Sequence, residues 1–446
     1  MEKPSKQNYL PSNGESKERS PIQQFLTTET GPSFTKSSRA TISELFAKLM
    51  TESPSDIDKP KHDESYKFWK TQPVPQFNEN GESKGGPIKV VNQDEVPKEP
   101  YPLLDGFEWG TIDPENEKEV GELYELLSNH YVEDDDSSFR LNYSPVFLRW
   151  SVNSFLIKVF FHHTHQMTRR ALTAPGWQKQ WNIAVRASAS QKLVAFITGV
   201  STNINVYAQA IKVIEINFLC IHKKLRSKRL TPLLIKEITR RCYLQGIYQA
   251  IYTAAAILPT PLPANSTKAR QIAKYHLPSI TLTPGLRLMQ ADDLDAVHEL
   301  LEWYQQRFDI GPAFSIDELR HWLLEAQTKA SNRVVWAYVV EDLETRKITD
   351  LVSFYCIDSA VLSHSRDVIR TAYLYYYATE NTENLQERLQ GLINDALILA
   401  KKAGLDVFNA LHLQDNELFL EKLRFGRGDG QLHYYLFNYL GRSGGQ

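Results

Sequence analysis

Two charged runs and one histidine cluster contain most of the residues whose type and spacing could do chemistry. Lys223, Lys224, Arg226, Lys228 and Arg229 crowd the stretch KKLRSKRL, a density of positive charge suited to a phosphate or pyrophosphate. Asp134, Asp135 and Asp136 form the acidic run of YVEDDD, which by itself reads as a flexible, solvated loop, and Asp429 sits in the glycine-flanked turn RFGRGDG. His162, His163 and His165 form the only dense histidine group, yet no cysteine or paired acid stands near them, so no metal site is expected. Cys220, Cys242 and Cys356 lie far apart without a CxxC pair, which fits a reducing compartment better than a disulfide framework. No Cys-His or Ser-His pairing has the context of an activated nucleophile.

The elements around the basic run explain its interest. Lys212 to Ile221 is apolar and β-branched, a buried strand, and the run after it leads into a helix. Thr231 suits the N-cap, Pro232 the first helical position, and Leu233, Leu234, Ile235 and Ile238 an apolar face. A strand, a basic turn and a capped helix together present unpaired N–H groups and a partial positive charge to an anion. The run lacks glycines, so it is neither a Walker loop nor a Rossmann turn.

The totals limit the rest. A chain of 446 residues, 42% hydrophobic and 23% charged, is long enough for two domain-sized units. Lys and Arg number 51 against 53 Asp and Glu, a net charge of −2, so no global field favours nucleic acid or an anionic membrane. The start has no apolar signal region, and the most apolar run, SFLIKVFF at 154–161, is far shorter than the roughly 20 residues a membrane span needs. Residues 1–60 read as a largely disordered arm with a short amphipathic helix at 41–50, and 76–98 as a polar linker rich in proline. Beyond it, VGELYELL (120–127) is echoed by VHELLEWY (297–304), and YSPVFLRW (143–150) by FSIDELRHW (314–322). Two ordered matches at nearly equal offset predict a duplication: two related α/β halves, about 101–284 and 285–446, the first extending to 61–284 when the linker is counted.

At this point the chain resembles the N-myristoyltransferase family. EINFLCIHKKLRSKRL (215–230) and RFGRGDG (424–430) match the family's two signatures, and YKFW (66–69), YVEDDD, GVSTNINVYAQAIKVIEINFLC and DALILAKKAGLDVFNAL extend the likeness over most of 62–440. The resemblance implies two pseudo-symmetric halves of the acetyl-CoA N-acetyltransferase (GNAT-like) type. It implies transfer of myristate from myristoyl-CoA to the N-terminal glycine of a protein, without a cofactor, in the cytoplasm. It assigns an oxyanion hole to the backbone amides of Phe218 and Leu219, and general-base work to the terminal carboxylate, here that of Gln446. It puts acyl-CoA against Tyr66, Lys67, Phe68, Trp69, Phe218, Leu219, Cys220 and Ile221, with Arg226, Ser227, Lys228, Arg229, Leu230, Thr231 and Pro232 around the phosphates. Peptide contacts fall to Asp134, Asp135, Asp136, Phe139, Tyr143, Asn217, Thr253 and Asp429. Nascent chains starting with glycine are the implied partners, a monomer the implied state, and ribosome association is left open.

Three stretches depart from the family pattern: an insert at about 151–170, a missing segment after 266, and a tail, LGRSGGQ, that ends soon after YYLFNY. They motivate an alternative expectation, an acyl-CoA-binding homologue impaired in catalysis. Acetyl transfer on the same architecture is a third, disfavoured by the two signatures.

Overall fold

The computed structural model describes residue 68 and residues 71–74, 84–131, 139–143, 175–207, 209–254, 275–325, 333–361, 368–426 and 432–442. The arm, the 41–50 helix, the histidine cluster, the insert and the stretch after 266 fall outside them, as does the tail beyond Arg442.

Among the described residues, fifteen strands make two large sheets and one small ribbon. In chain order they are β1 (Lys84–Gly86), β2 (Phe107–Thr111), β3 (Phe139–Asn142), β4 (Ile183–Ala187), β5 (Leu193–Val206), β6 (Gln209–Ile221), β7 (Ala250–Ala254), β8 (Leu286–Leu288), β9 (Ile310–Pro312), β10 (Val335–Glu341), β11 (Ile348–Val361), β12 (Val368–Thr379), β13 (Val407–Asn409), β14 (His433–Phe437) and β15 (Leu440–Arg442). Four longer helices accompany them: α1 (Glu117–His130), α2 (Leu230–Tyr243), α3 (Leu294–Gln305) and α4 (Leu385–Lys402).

The first sheet runs β14-β7-β6-β5-β4-β2 and the second β13-β12-β11-β10-β8. Strand for strand the two agree: α1 and α3 follow the first strand of each, a long antiparallel hairpin forms each centre, and α2 or α4 leads to a parallel last strand. The duplication expected from VGELYELL and VHELLEWY is therefore present, since those segments are α1 and α3, and Val120, Leu123 and Leu127 are buried as are Val297, Leu300 and Tyr304. The halves also exchange strands. β3, from the first half, pairs with β11, while β9 and β14, from the second, pair with β5 and β7.

β5 reads as a continuous apolar run because both its faces are covered. Leu193 and Phe196 join a core with Leu123, Leu126 and Leu127 of α1, whereas Val194, Ala195 and Ile197 join another with Leu230, Leu234 and Ile238 of α2. Each such aliphatic side chain contributes about 1.5–3 kcal/mol on burial. The core under α1 also takes in Val335 and Ile357, so it spans both sheets. α1 begins at Asn116, whose side chain accepts from the amides of Lys118 and Glu119, satisfying donors that a helix start leaves open.

α2 begins earlier than the sequence predicts. Its N-cap is Arg229, not Thr231, and Pro232 is the third helical residue rather than the first. Pro232 is tolerated there because the first-turn N–H groups have no partner inside the helix. Its buried face is Leu230, Leu234, Ile238 and Cys242, while Leu233 and Ile235 are half-buried. Within the expected linker, Lys84–Gly86 pairs with β15, and fully buried Asn438 bonds both backbone groups of Lys89 and the carbonyl of Tyr248.

Candidate active site

Within the central hairpin of the first sheet the register slips. Asn217 faces Thr198 and Cys220 faces Phe196, so Phe218 and Leu219 together face the single residue Ile197. Phe218 adopts φ +54°, a left-handed backbone that costs a bulky residue about 1–3 kcal/mol. A bulge of this kind removes backbone groups from regular pairing. Packing holds it in place: the Phe218 ring is 7% exposed, 5.3 Å edge-on from Tyr143 and 5.9 Å from Tyr131. The hydroxyl of Tyr131 hydrogen-bonds the Phe218 backbone, and burial keeps that phenol fully protonated by pushing its pKa up.

The second sheet has a bulge at the matching place. Tyr375 and Tyr376 of β12 face Ser353 of β11. Here the hydroxyl of Ser353 accepts from the Tyr376 amide at 3.0 Å and donates to the Tyr376 carbonyl at 2.7 Å. Ile197 has no group that could do this at the first bulge. The Phe218 backbone is held instead by the Tyr131 hydroxyl, a partner outside the hairpin that a developing oxyanion could replace.

Directly beyond the first bulge, β6 runs into the basic turn. Lys223–Lys228 forms a tight helical turn capped by His222, whose Nδ1 accepts from the Lys224 amide at 3.3 Å, and Arg229 enters α2 at φ +55°. Lys223, Lys224, Lys228 and Arg229 are exposed, next to the first amides of α2 at Leu230 and Thr231. Burial first, then the charges of Lys192, Lys224 and Arg226, lower the pKa of His222, so the imidazole stays neutral within a field that favours anions. Arg226 differs from its neighbours. It is half-buried, and its Nη2 donates to the His130 carbonyl at 2.7 Å, tying the turn to the end of α1.

A second group of site residues faces the space between the sheets. Glu215 and Asn217 share one face of β6, hydrogen-bonded to each other. The parallel register, Glu215 opposite Ile251, puts Thr253 beside Asn217 on that face, and Tyr434 of β14 pairs with Thr253. Glu215 acts electrostatically on Tyr434 and, from the second sheet, on Tyr355, Tyr375 and Tyr376. Glu215, Thr253 and Tyr434 are all exposed, so they line a cleft rather than a packed core.

Several expected site residues come together here: Phe218, Leu219, Cys220, Ile221, Asn217 and Thr253 on adjoining strands, Tyr143 against the bulge, and Arg226 to Pro232 at the turn. Cys220 is fully buried, and burial raises its thiol pKa to about 12, so it packs as an apolar group. Phe139 opens β3, and the carbonyl of Phe68 accepts from the Thr71 amide and hydroxyl. Tyr66, Lys67, Trp69, Asp134, Asp135, Asp136, Asp429 and Gln446 lie outside the described residues. Among the described residues, no cluster of three or more His, Cys, Asp or Glu could hold a metal, and no helix is long and apolar enough to cross a membrane. A hollow of about 290 Å³ lined by Lys98, Gln180, Arg240 and Arg241 is at the far end of α2, where both arginines bind Glu237.

Residue-level reading missed Glu215, Tyr131, Ser353 and the tyrosines of β12. Glu215 had a signal, a lone acid inside an otherwise apolar strand, and LYYYAT is an unusual run of phenols.

The geometry has close counterparts. Residues 87–162 and 157–264 match the family model described as myristoyl-CoA:protein N-myristoyltransferase, N-terminal domain, and residues 257–445 match its C-terminal domain. The two N-terminal pieces meet inside the stretch read as an insert. The chain is 56% identical over 404 residues to a glycylpeptide N-tetradecanoyltransferase of Aspergillus fumigatus, covering 84% of this chain and 78% of the relative. It is 46% identical over 416 residues to that of Schizosaccharomyces pombe, covering 85% and 84%. A crystal structure of Saccharomyces cerevisiae N-myristoyltransferase with bound myristoyl-CoA superposes with a TM-score of 0.75 at 40% identity, covering 84% of this chain and 93% of that one.

Proposed function

We infer, from the premise that this chain belongs to the myristoyl-CoA:protein N-myristoyltransferase family, that it is an acyltransferase moving myristate from myristoyl-CoA to the N-terminal glycine of proteins. The observation that carries this reading is the bulge at Phe218 and Leu219, one turn of chain before a basic seat for an anion. The two follow one another in the chain, the bulge near the end of β6 and the basic turn directly after it.

The pyrophosphate would rest on the amides at the start of α2 with Lys228 and Arg229 nearby. The thioester carbonyl would turn toward the backbone of Phe218 and Leu219, with the Phe218 amide passing from the Tyr131 hydroxyl to the carbonyl oxygen. As the substrate amine attacks, negative charge grows on that oxygen and the preorganised amides stabilise it. Collapse then breaks the C–S bond and releases CoA. The first half takes the acyl-CoA, and the peptide lies between the sheets near Asn217 and Thr253, with Asp134, Asp135, Asp136 and Asp429 drawing its basic residues. Its substrates would be nascent or finished chains in the cytoplasm that begin with glycine. Myristoyl-CoA serves as co-substrate, and the reaction needs no other cofactor.

Mass spectrometry of a Gly-starting peptide incubated with the full chain and myristoyl-CoA tests the reading. A myristoylated amide on that peptide, and none on the same peptide starting with alanine, is expected. A folded chain that binds myristoyl-CoA but modifies neither peptide would sink it.

A further inference from the structure

The far end of α2 holds more arginine than its one carboxylate neutralises. Glu237 is fully buried and accepts from Arg240 through Nε and Nη2 and from Arg241 through Nε, so two guanidinium groups share a single negative charge. Arg240 is a structural anchor. Besides its two bonds to Glu237, its Nη1 donates to the carbonyls of Pro97 at 3.1 Å and Lys98 at 2.9 Å, which commits four of the five N–H groups a guanidinium has. Arg241 is committed only twice, to Glu237 and, at 2.7 Å, to the Gln180 carbonyl. Of its five N–H groups three therefore remain.

The hollow of about 290 Å³ lies against these groups, lined by Lys98, Gln180, Arg240, Arg241, Leu244 and Gln245. Its lining contains two guanidinium groups, an ammonium and two amides, and no carboxylate. Lys98 is exposed and pairs with no acid among the described residues. Glu99 acts on Arg240 but is not part of the lining. The frame is fixed before anything binds, because three chain segments meet there. Gln93 donates to the Leu244 carbonyl at 2.8 Å, Arg240 ties down Pro97 and Lys98, and Arg241 ties down Gln180. Preorganised donors lose little on meeting a ligand.

This place is distinct from the basic turn. Arg240 is about 15 Å along α2 from Leu230, at the end where the helix dipole opposes an anion. Attraction must come from the side chains, and two arginines and a lysine against one buried acid supply it. A phosphate group suits these donors better than a carboxylate does, since it offers three acceptor oxygens to a guanidinium fork and an ammonium together.

We propose that the hollow at the end of α2 binds a phosphate group, with Arg241 and Lys98 as its charged ligands and Gln245 beside them. The proposal stands apart from the acyl-transfer reading, and its site is separate from the acyl-CoA seat. Free inorganic phosphate and a phosphorylated side chain of a protein partner present the same chemistry to it.

Equilibrium dialysis of labelled inorganic phosphate against the full chain, saturated with myristoyl-CoA to occupy the basic turn, tests this. One phosphate per chain is expected, with chloride a poor competitor. Lys98→Ala should weaken binding about fivefold, as for loss of one charge-assisted contact at a partly exposed site. Lys98→Glu should abolish binding and Lys98→Arg should keep it, while Lys228→Ala at the basic turn should leave it unchanged. All three Lys98 variants retain the backbone carbonyl that Arg240 binds, so the frame persists. A phosphoserine peptide and its unphosphorylated form, dialysed in parallel, separate the sources: tighter binding of the phosphopeptide than of the free ion assigns the hollow to phosphoproteins, and equal or weaker binding assigns it to free phosphate. Absence of phosphate binding, displacement by chloride at equal concentration, full binding by Lys98→Glu, or an equal loss in Lys98→Ala and Lys228→Ala would each overturn the proposal, the last by returning the anion to the acyl-CoA seat.

Discussion

Ser353 engages both backbone groups of Tyr376, its hydroxyl accepting from the amide at 3.0 Å and donating to the carbonyl at 2.7 Å. Ile197, at the corresponding place in the first sheet, cannot do so for Phe218 and Leu219. Both hairpins slip by one residue, but the first bulge is held by the Tyr131 hydroxyl from outside the hairpin and the second by the serine directly opposite it.

Ser353→Ala should therefore destabilise the fold by about 1–3 kcal/mol, the cost of a buried backbone donor left without a partner, and leave acyl transfer near wild type. Ile197→Thr introduces a hydroxyl opposite the first bulge at the cost of some volume in a fully buried position. If it bridges the Phe218 and Leu219 backbone, kcat should fall about 10²-fold, as for loss of an oxyanion donor, with myristoyl-CoA affinity kept. Denaturant unfolding and steady-state kinetics on the two variants check the pair.

Lys228→Ala should weaken myristoyl-CoA binding about 2–5-fold at low salt, in keeping with a single cation near a helix start. The difference should fade in 1 M salt, where the Debye length is about 3 Å. Calorimetric titration at two ionic strengths distinguishes this from a folding defect, which salt would not remove.

Cys220→Ala should retain transfer, and no thioester-linked acyl chain should be found on the protein during turnover. The thiol is fully buried with its pKa pushed to about 12, so almost none is thiolate at pH 7. A hydroxylamine-labile acyl adduct at Cys220 would contradict direct transfer.

Glu237 provides a pH signature of stability. Burial raises its pKa, but hydrogen bonds and charge from Arg240 and Arg241 outweigh that and hold it below the usual carboxylate value. A depressed folded pKa means the stabilisation is complete above the unfolded value, near 4.3, and is lost as pH falls below it through the folded pKa. Glu237→Gln should cost about 3–5 kcal/mol at pH 7 by leaving two guanidinium groups facing a neutral side chain. The gap from wild type should narrow in unfolding curves taken at progressively lower pH below about 4.

Much of this was legible in the residues. The apolar strand before KKLRSKRL, the helix after it and the twin segments VGELYELL and VHELLEWY are local patterns, and local patterns survive without knowledge of neighbours. The signatures added the family and the roles expected of Phe218 and Leu219. The N-cap was misread because Thr231 and Pro232 look like a helix start, whereas the helix begins two residues earlier, after the left-handed Arg229.

By itself, then, the sequence determined the element types around the site, the duplication and the family, because periodicity and motif are properties of short segments. Tertiary structure decided which strands crossed between the halves, such as β3 onto β11 and β14 onto β7. It also decided what engages the backbone at each of the two equivalent bulges, and that Glu215 would lie among phenols from both sheets. Each of these depends on what residues far apart in the chain place opposite one another, and burial, register and unsatisfied charge have no meaning until that partner is in place.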